Sequence, residues 1–279
     1  MYLSAFADEI SADLDEQINV LLSAGIRHLD LRGVWDTNVL DLTDEQVSQI
    51  RTTLDAHGMR VAAIGSPIGK VPIDSPFDEH MRRFERAITL AHAFGAPYIR
   101  LFSFYPPERA DGPVDPSGYR DEVLRRLRAM ADRAQAAGVI LQHENEKDIY
   151  GDTVARCLDL MHELGGERFQ AVFDPANFVY CGETPYPDAY IALRPWIGYV
   201  HVKDGRPDGP VVPAGEGAAN WPAILRALRE SGYDGCFSLE PHLASAGRYR
   251  GHSGPELFRV AARSFQNLLA AMNWQPDRK

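Results

Sequence analysis

Short apolar runs alternate with amphipathic stretches along the whole chain. Eight runs have the length and the β-branched or aromatic content of buried strands: 2–7 (YLSAFA), 26–31 (IRHLDL), 60–64 (RVAAI), 97–104 (PYIRLFSF), 139–144 (VILQHE), 169–174 (FQAVFD), 197–202 (IGYVHV) and 236–240 (CFSLE). Segments near 13–24, 44–57, 77–94, 119–137, 151–164, 187–194, 219–231 and 254–271 carry helical spacing. Asp152 or Thr153 is placed to cap the fifth of these, and Gly25, Gly58, Gly95, Gly138 and Gly232 stand where helices stop. Four of the stops share one form, AG-I, HG-M, FG-A and AG-V, each leading directly into the next strand. Such short connections are expected of βα repeats. Eight repeats predict a closed (β/α)8 TIM barrel, since open doubly wound sheets commonly have about five or six strands. No GxGxxG turn follows the first strand, which removes the usual dinucleotide reading.

Composition refines this picture. A chain of 279 residues suits a single barrel domain over 1–279. Hydrophobic residues at 45% and charged residues at 24% are the balance of a soluble globular protein. The net charge of −10, from 29 basic and 39 acidic residues, disfavours nucleic acid and anionic membrane as partners. Three cysteines, Cys157, Cys181 and Cys236, lack CxxC spacing, which argues against a disulfide scaffold or thiolate cluster and for a cytoplasmic protein. The start, MYLSAFADEIS, lacks the basic lead of a secretory signal, and no apolar run approaches the roughly 20 residues that span a bilayer.

The chemistry gathers at strand ends. In a β/α barrel the C-terminal ends of the strands point at the active face. The fifth strand ends in Glu144, the sixth in Asp174, the seventh in His201 and the eighth in Glu240. Four consecutive strands therefore deliver three carboxylates and an imidazole to one quadrant of the rim. Taken singly, each has a plain structural reading: Glu144 as a helix cap, Asp174 before Pro175 as a turn initiator, His201 bonded to a carbonyl, Glu240 paired with an arginine. Together they would repel one another unless a cation neutralised them. The set is oxygen-rich and hard, suited to one divalent metal: Mn²⁺ first, with Mg²⁺, Co²⁺ or Zn²⁺ as alternatives.

The blocks LQHEN (141–145), FDPAN (173–177), HVKD (201–204), GEG (215–217) and GYDGCFSLEPH (232–242) resemble the xylose isomerase-like TIM barrel superfamily. Within it, the chain is similar to the sugar phosphate isomerase/epimerase branch that contains tagatose 3-epimerase and the inosose isomerases and dehydratases. The resemblance spans nearly the whole chain and implies that Glu144, Asp174, His201 and Glu240 ligate one divalent ion. It further implies an isomerase or epimerase acting on a sugar or cyclitol, with Glu144 and Glu240 removing and returning a proton beside a carbonyl through a metal-stabilised enediolate. Two positions depart from the ketose 3-epimerase pattern: Tyr150 stands where a second glutamate is usual, and Asn177 where a histidine is usual. Arg206 matches the typical arginine beyond the metal histidine one residue out of step.

Further candidates for substrate contacts are Lys70, Arg100, Asn145, Asn177, Lys203, Arg206, Glu216 and His242, with Trp35 as an apolar wall. Arg100, between Ile99 and Leu101, also reads as a buried ion-pair member, and Glu216 as a solvated residue before a helix. The acidic rim and the lack of a glycine-rich anion cradle favour a neutral sugar over a phosphorylated one. A homodimer is expected, with Phe104, Tyr105, Trp196 or Tyr249 at its interface. The same four ligands suit a metal-dependent lyase of the inosose dehydratase kind, or a non-catalytic sugar-binding barrel. The DNA-repair endonucleases of this fold need more histidines for a multi-zinc cluster, and a basic patch, than this sequence offers.

Overall fold

The structure, a computed structural model, describes residues 1–108, 114–246 and 251–277. The predicted strands form within a few residues of their expected bounds: β1 (Tyr2–Ala5), β2 (His28–Leu31), β3 (Arg60–Ile64), β4 (Tyr98–Leu101), β5 (Ile140–Glu144), β6 (Phe169–Phe173), β7 (Ile197–Val202) and β8 (Cys236–Leu239). They pair in the order β1-β8-β7-β6-β5-β4-β3-β2, every neighbouring pair parallel. A parallel bridge between Phe6 and Asp30 brings β1 against β2 and completes the ring.

Around the barrel lie α1 (Leu14–Ser23), α2 (Asp44–Ala56), α3 (Phe77–Phe94), α4 (Arg120–Ala137), α5 (Val154–Leu164), α6 (Pro175–Tyr180), α7 (Tyr190–Leu193), α8 (Trp221–Glu230) and α9 (Gly254–Ala271). Capping follows the sequence. Thr43 and Gln46 form a reciprocal box at the start of α2, and the Thr153 hydroxyl accepts from the Arg156 amide at the start of α5. Gly95 and Gly138 close α3 and α4 in the left-handed conformation that a Cβ would disfavour. The expected helix over 187–194 is broken up instead. A wide turn over Pro185–Ala189 leads into the four-residue α7 and then a 3-10 turn over Arg194–Trp196, since Pro185, Pro187 and Pro195 interrupt the donor ladder.

The two-residue pleat sorts each strand into two faces. Leu141, Phe169, Phe173, Val200, Phe237 and Leu239 pack outward into the main core beneath the helices. Val172, Tyr199 and Cys236 meet Ala63 in a separate small core inside the barrel. Continuing that inward face by one pleat gives Asp174 above Val172 and His201 above Tyr199.

Candidate active site

The same pleat brings four side chains from four adjacent strands to one point. Ligand atoms of Glu144, Asp174, His201 and Glu240 all lie within 4.8 Å of one another, and all four residues are buried. His201 Nδ1 lies 3.3 Å from Glu144 Oε1, 3.4 Å from Glu240 Oε2 and 4.0 Å from Asp174 Oδ2. Each carboxylate divides its oxygens between structure and site. Asp174 Oδ1 accepts the Asn177 amide and caps α6, while Oδ2 faces the cluster. Glu144 Oε2 accepts from Arg100 and its Oε1 looks toward His201. Glu240 Oε1 accepts from Arg32 at 2.8 Å and its Oε2 faces His201.

Electrostatics follow from this crowding. Burial would depress the His201 pKa, but the Glu144 and Glu240 carboxylates overcome it and raise it to about 10. Burial pushes Glu144 up, yet the charges of His201 and Arg100 bring it down to about 2. Asp174 is raised to about 6 by burial, with Lys203 opposing. Glu240 is held well below the usual carboxylate range: burial works against this, and Lys203 and His242 prevail. Among the described residues, the buried atoms Asp174 Oδ2 and His201 Nδ1 find no hydrogen bond of sound geometry, although Lys203 Nζ stands 2.7 Å from the former. Buried polar atoms are rarely left so. Convergent, incompletely satisfied oxygen and imidazole donors fit a single divalent ion.

The structure gathers most of the other expected residues around this centre. Arg100 Nη1 is shared between Glu144 Oε2 at 3.0 Å and Glu240 Oε1 at 3.3 Å. Lys203 Nζ lies between Asp174 and Glu240. Asn145 locks onto the backbone of Asp174 in both directions, and Asn177 donates to Glu144 Oε1 at 3.3 Å and to the Asn145 carbonyl at 2.8 Å. His242 Nε2 is 3.8 Å from Glu240 Oε1, and its Nδ1 bonds Glu9. Lys70 pairs with Glu146 at 2.7 Å, its ammonium over the Phe102 ring. Arg206 and Glu216 stand in solvent and are not drawn into the cluster. Trp35 packs partly against the main core at the tip of a hairpin. Phe104 and Tyr105 are buried, so they cannot line the expected dimer interface; Trp196 is half-buried and Tyr249 falls outside the described residues.

Sequence reasoning missed three acidic groups and one arginine. Arg32, at the end of β2, donates to Asp8, Glu9 and Glu240 at once and lies over the Phe6 ring. Its partners come from far along the chain, so no local spacing betrays the network. Asp204 of HVKD is fully buried and accepts amides from Gly205, Gly215, Gly217 and Ala219. Tyr150, the departure from the epimerase pattern, gives its hydroxyl to Asp159 and so serves to join the loop to α5.

Residues 18–268 match the family described as xylose isomerase-like TIM barrel, and the chain belongs to it. It is 28% identical over 193 residues to the 2-epi-5-epi-valiolone 7-phosphate 2-epimerase of Actinoplanes sp., covering 67% of this chain and 66% of that one. It is 26% identical over 267 residues to the D-psicose 3-epimerase of Enterocloster bolteae, covering 88% and 83%. The crystal structure of IOLI protein with a bound zinc atom superposes with a TM-score of 0.75 over 97% of this chain and 99% of that one, at 17% identity, a likeness of fold.

Proposed function

We propose that this protein is a divalent-metal-dependent isomerase or epimerase of a sugar or cyclitol, cytoplasmic and using Mn²⁺. The observation that carries the reading is the pair Glu144 and Glu240. Each turns one carboxylate oxygen to a common centre, and their remaining oxygens are tied through a single Arg100 nitrogen. Both are held as carboxylates, the form a base requires. When bound, the ion supplies the Lewis acidity that makes a C–H beside a carbonyl acidic enough for carboxylates this weak. One glutamate removes the proton, and the other returns it to the opposite face or to the neighbouring carbon. His201 and Asp174 hold the ion, Asn145 fixes the backbone of Asp174, Asn177 fixes the Glu144 carboxylate, and the Lys203 ammonium stands ready to donate to a substrate oxygen. The relatives named as epimerases support this assignment.

One observation favours elimination as a second reading: His242 is held beside Glu240 by the buried Glu9, where a lyase would need an additional acid. Incubation with 2-keto-inositol separates the two, since only a lyase produces an enone absorbance. The primary test is Glu240→Gln. Exchange of the substrate α-proton with solvent, followed by NMR in D₂O on neutral ketoses, is expected to fall by roughly two orders of magnitude or more while some metal stays bound. Undiminished exchange would remove Glu240 from the reaction.

A further inference from the structure

A cavity of about 190 Å³ opens beside the site, lined by Asp8, Ala12, Arg32, the hairpin residues Gly33, Val34, Thr37 and Asn38, and Asp36 at its tip. Arg32 belongs to both the cavity and the candidate centre: it lines the cavity, and its guanidinium donates to Glu240 Oε1 at 2.8 Å. A group seated there lies one side chain away from a residue assigned to the chemistry. The volume is below the roughly 300 Å³ of a whole-ligand pocket, so it suits part of a ligand.

We infer that this cavity is the subsite for the portion of the substrate remote from the reacting carbonyl, and that it takes a neutral, hydroxyl-bearing group rather than a phosphate. The inference rests on the isomerase or epimerase reading. Hydroxyls both donate and accept, and the lining residues carry both functions: Asp8 a carboxylate, Arg32 a guanidinium, and Asn38 a side-chain amide whose oxygen also accepts from the Leu40 amide. A phosphate meets a different field. Arg32 already faces three carboxylates, Asp8, Glu9 and Glu240, so its single positive charge is outnumbered. Gly33 points the same way. Its backbone is outside the left-handed region, so glycine is not required there by conformation, and a Cβ would stand 3.3 Å from the Thr37 carbonyl and 3.5 Å from Asp8 Oδ2. A methyl group there would be in contact with Asp8, another residue that lines the cavity.

The test is Gly33→Ala, which narrows the cavity and leaves every candidate ligand in place. With Mn²⁺ loaded, α-proton exchange is measured on dihydroxyacetone, on D-psicose and on its 6-phosphate. In the parent, D-psicose is expected to exceed the 6-phosphate in kcat/KM; in the variant, the ratio of D-psicose to dihydroxyacetone is expected to fall by about tenfold, the scale of one misplaced methyl group. An unchanged ratio, or a parent that prefers the phosphate, would overturn the subsite. Calorimetric binding of myo-inositol to parent and variant reads the cavity without turnover: weakened binding in the variant supports the subsite even if no ketose exchanges its proton, and equal binding refutes it. Matching melting temperatures and Mn²⁺ affinities establish that the variant is folded.

Discussion

Arg100 was legible in the sequence as either a substrate contact or an ion-pair member, because it sits between Ile99 and Leu101 on a strand. The geometry shows the second role directly. One nitrogen serves two glutamates, another donates to the Gly65 carbonyl at 3.2 Å, and the guanidinium lies over Phe6 and Phe102. Removing it leaves two buried carboxylates short of positive charge. Arg100→Met is therefore expected to cost the metal-free protein about 3 kcal/mol, and added Mn²⁺ is expected to raise the melting temperature of the variant by more than that of the parent. A deficit indifferent to metal would contradict the shared electrostatics. Arg32 was not legible at all, since its partners Asp8, Glu9 and Glu240 lie 24, 23 and 208 residues away. Asp174 shows a different limit: one oxygen caps the turn into α6 while the other faces the cluster, so its turn-forming and ligand readings are compatible.

Among the elements, strands were easy to see and short helices were not. Every barrel strand announces itself by an apolar run, and most helices by their glycine stops. The six-residue α6 is too short to show a period, although Asp174 and Pro175 are a readable cap and first helical residue. The glycine- and proline-rich segment after Asp204 carries Glu216, which reads from the sequence as either a substrate contact or a solvated residue before a helix. Four amides converge there on the buried Asp204 carboxylate, and Glu216 is exposed. Asp204 is thereby a positioning residue for the loop and, through the chain, for its neighbour Lys203. Asp204→Ala should raise the rate of proteolytic cleavage within 205–217 by about tenfold, with only about 2 kcal/mol lost from global stability, because the loop opens locally while the strands stay paired. Cleavage at the parent rate would contradict this.

At the scale of the molecule, closure of the barrel is what converts sequence into a site. Glu144, Asp174, His201 and Glu240 are spread over 97 residues of chain, yet the parallel register of β5, β6, β7 and β8 stacks them on adjacent staves. This was legible because strand ends carry function in such a barrel. The surrounding ion network was not, because it depends on which rim loops meet across the top. We propose that the four residues hold one ion on which proton transfer depends. This is tested by titrating metal-stripped protein with Mn²⁺, following bound ion and the α-proton exchange of D-psicose together. Negligible exchange is expected without metal, then a rise in proportion to occupancy and saturation at one ion per chain, with Asp174→Ala lowering metal affinity by about tenfold or more. Exchange that proceeds at full rate in the stripped protein, or that saturates only at two or more ions per chain, would contradict it.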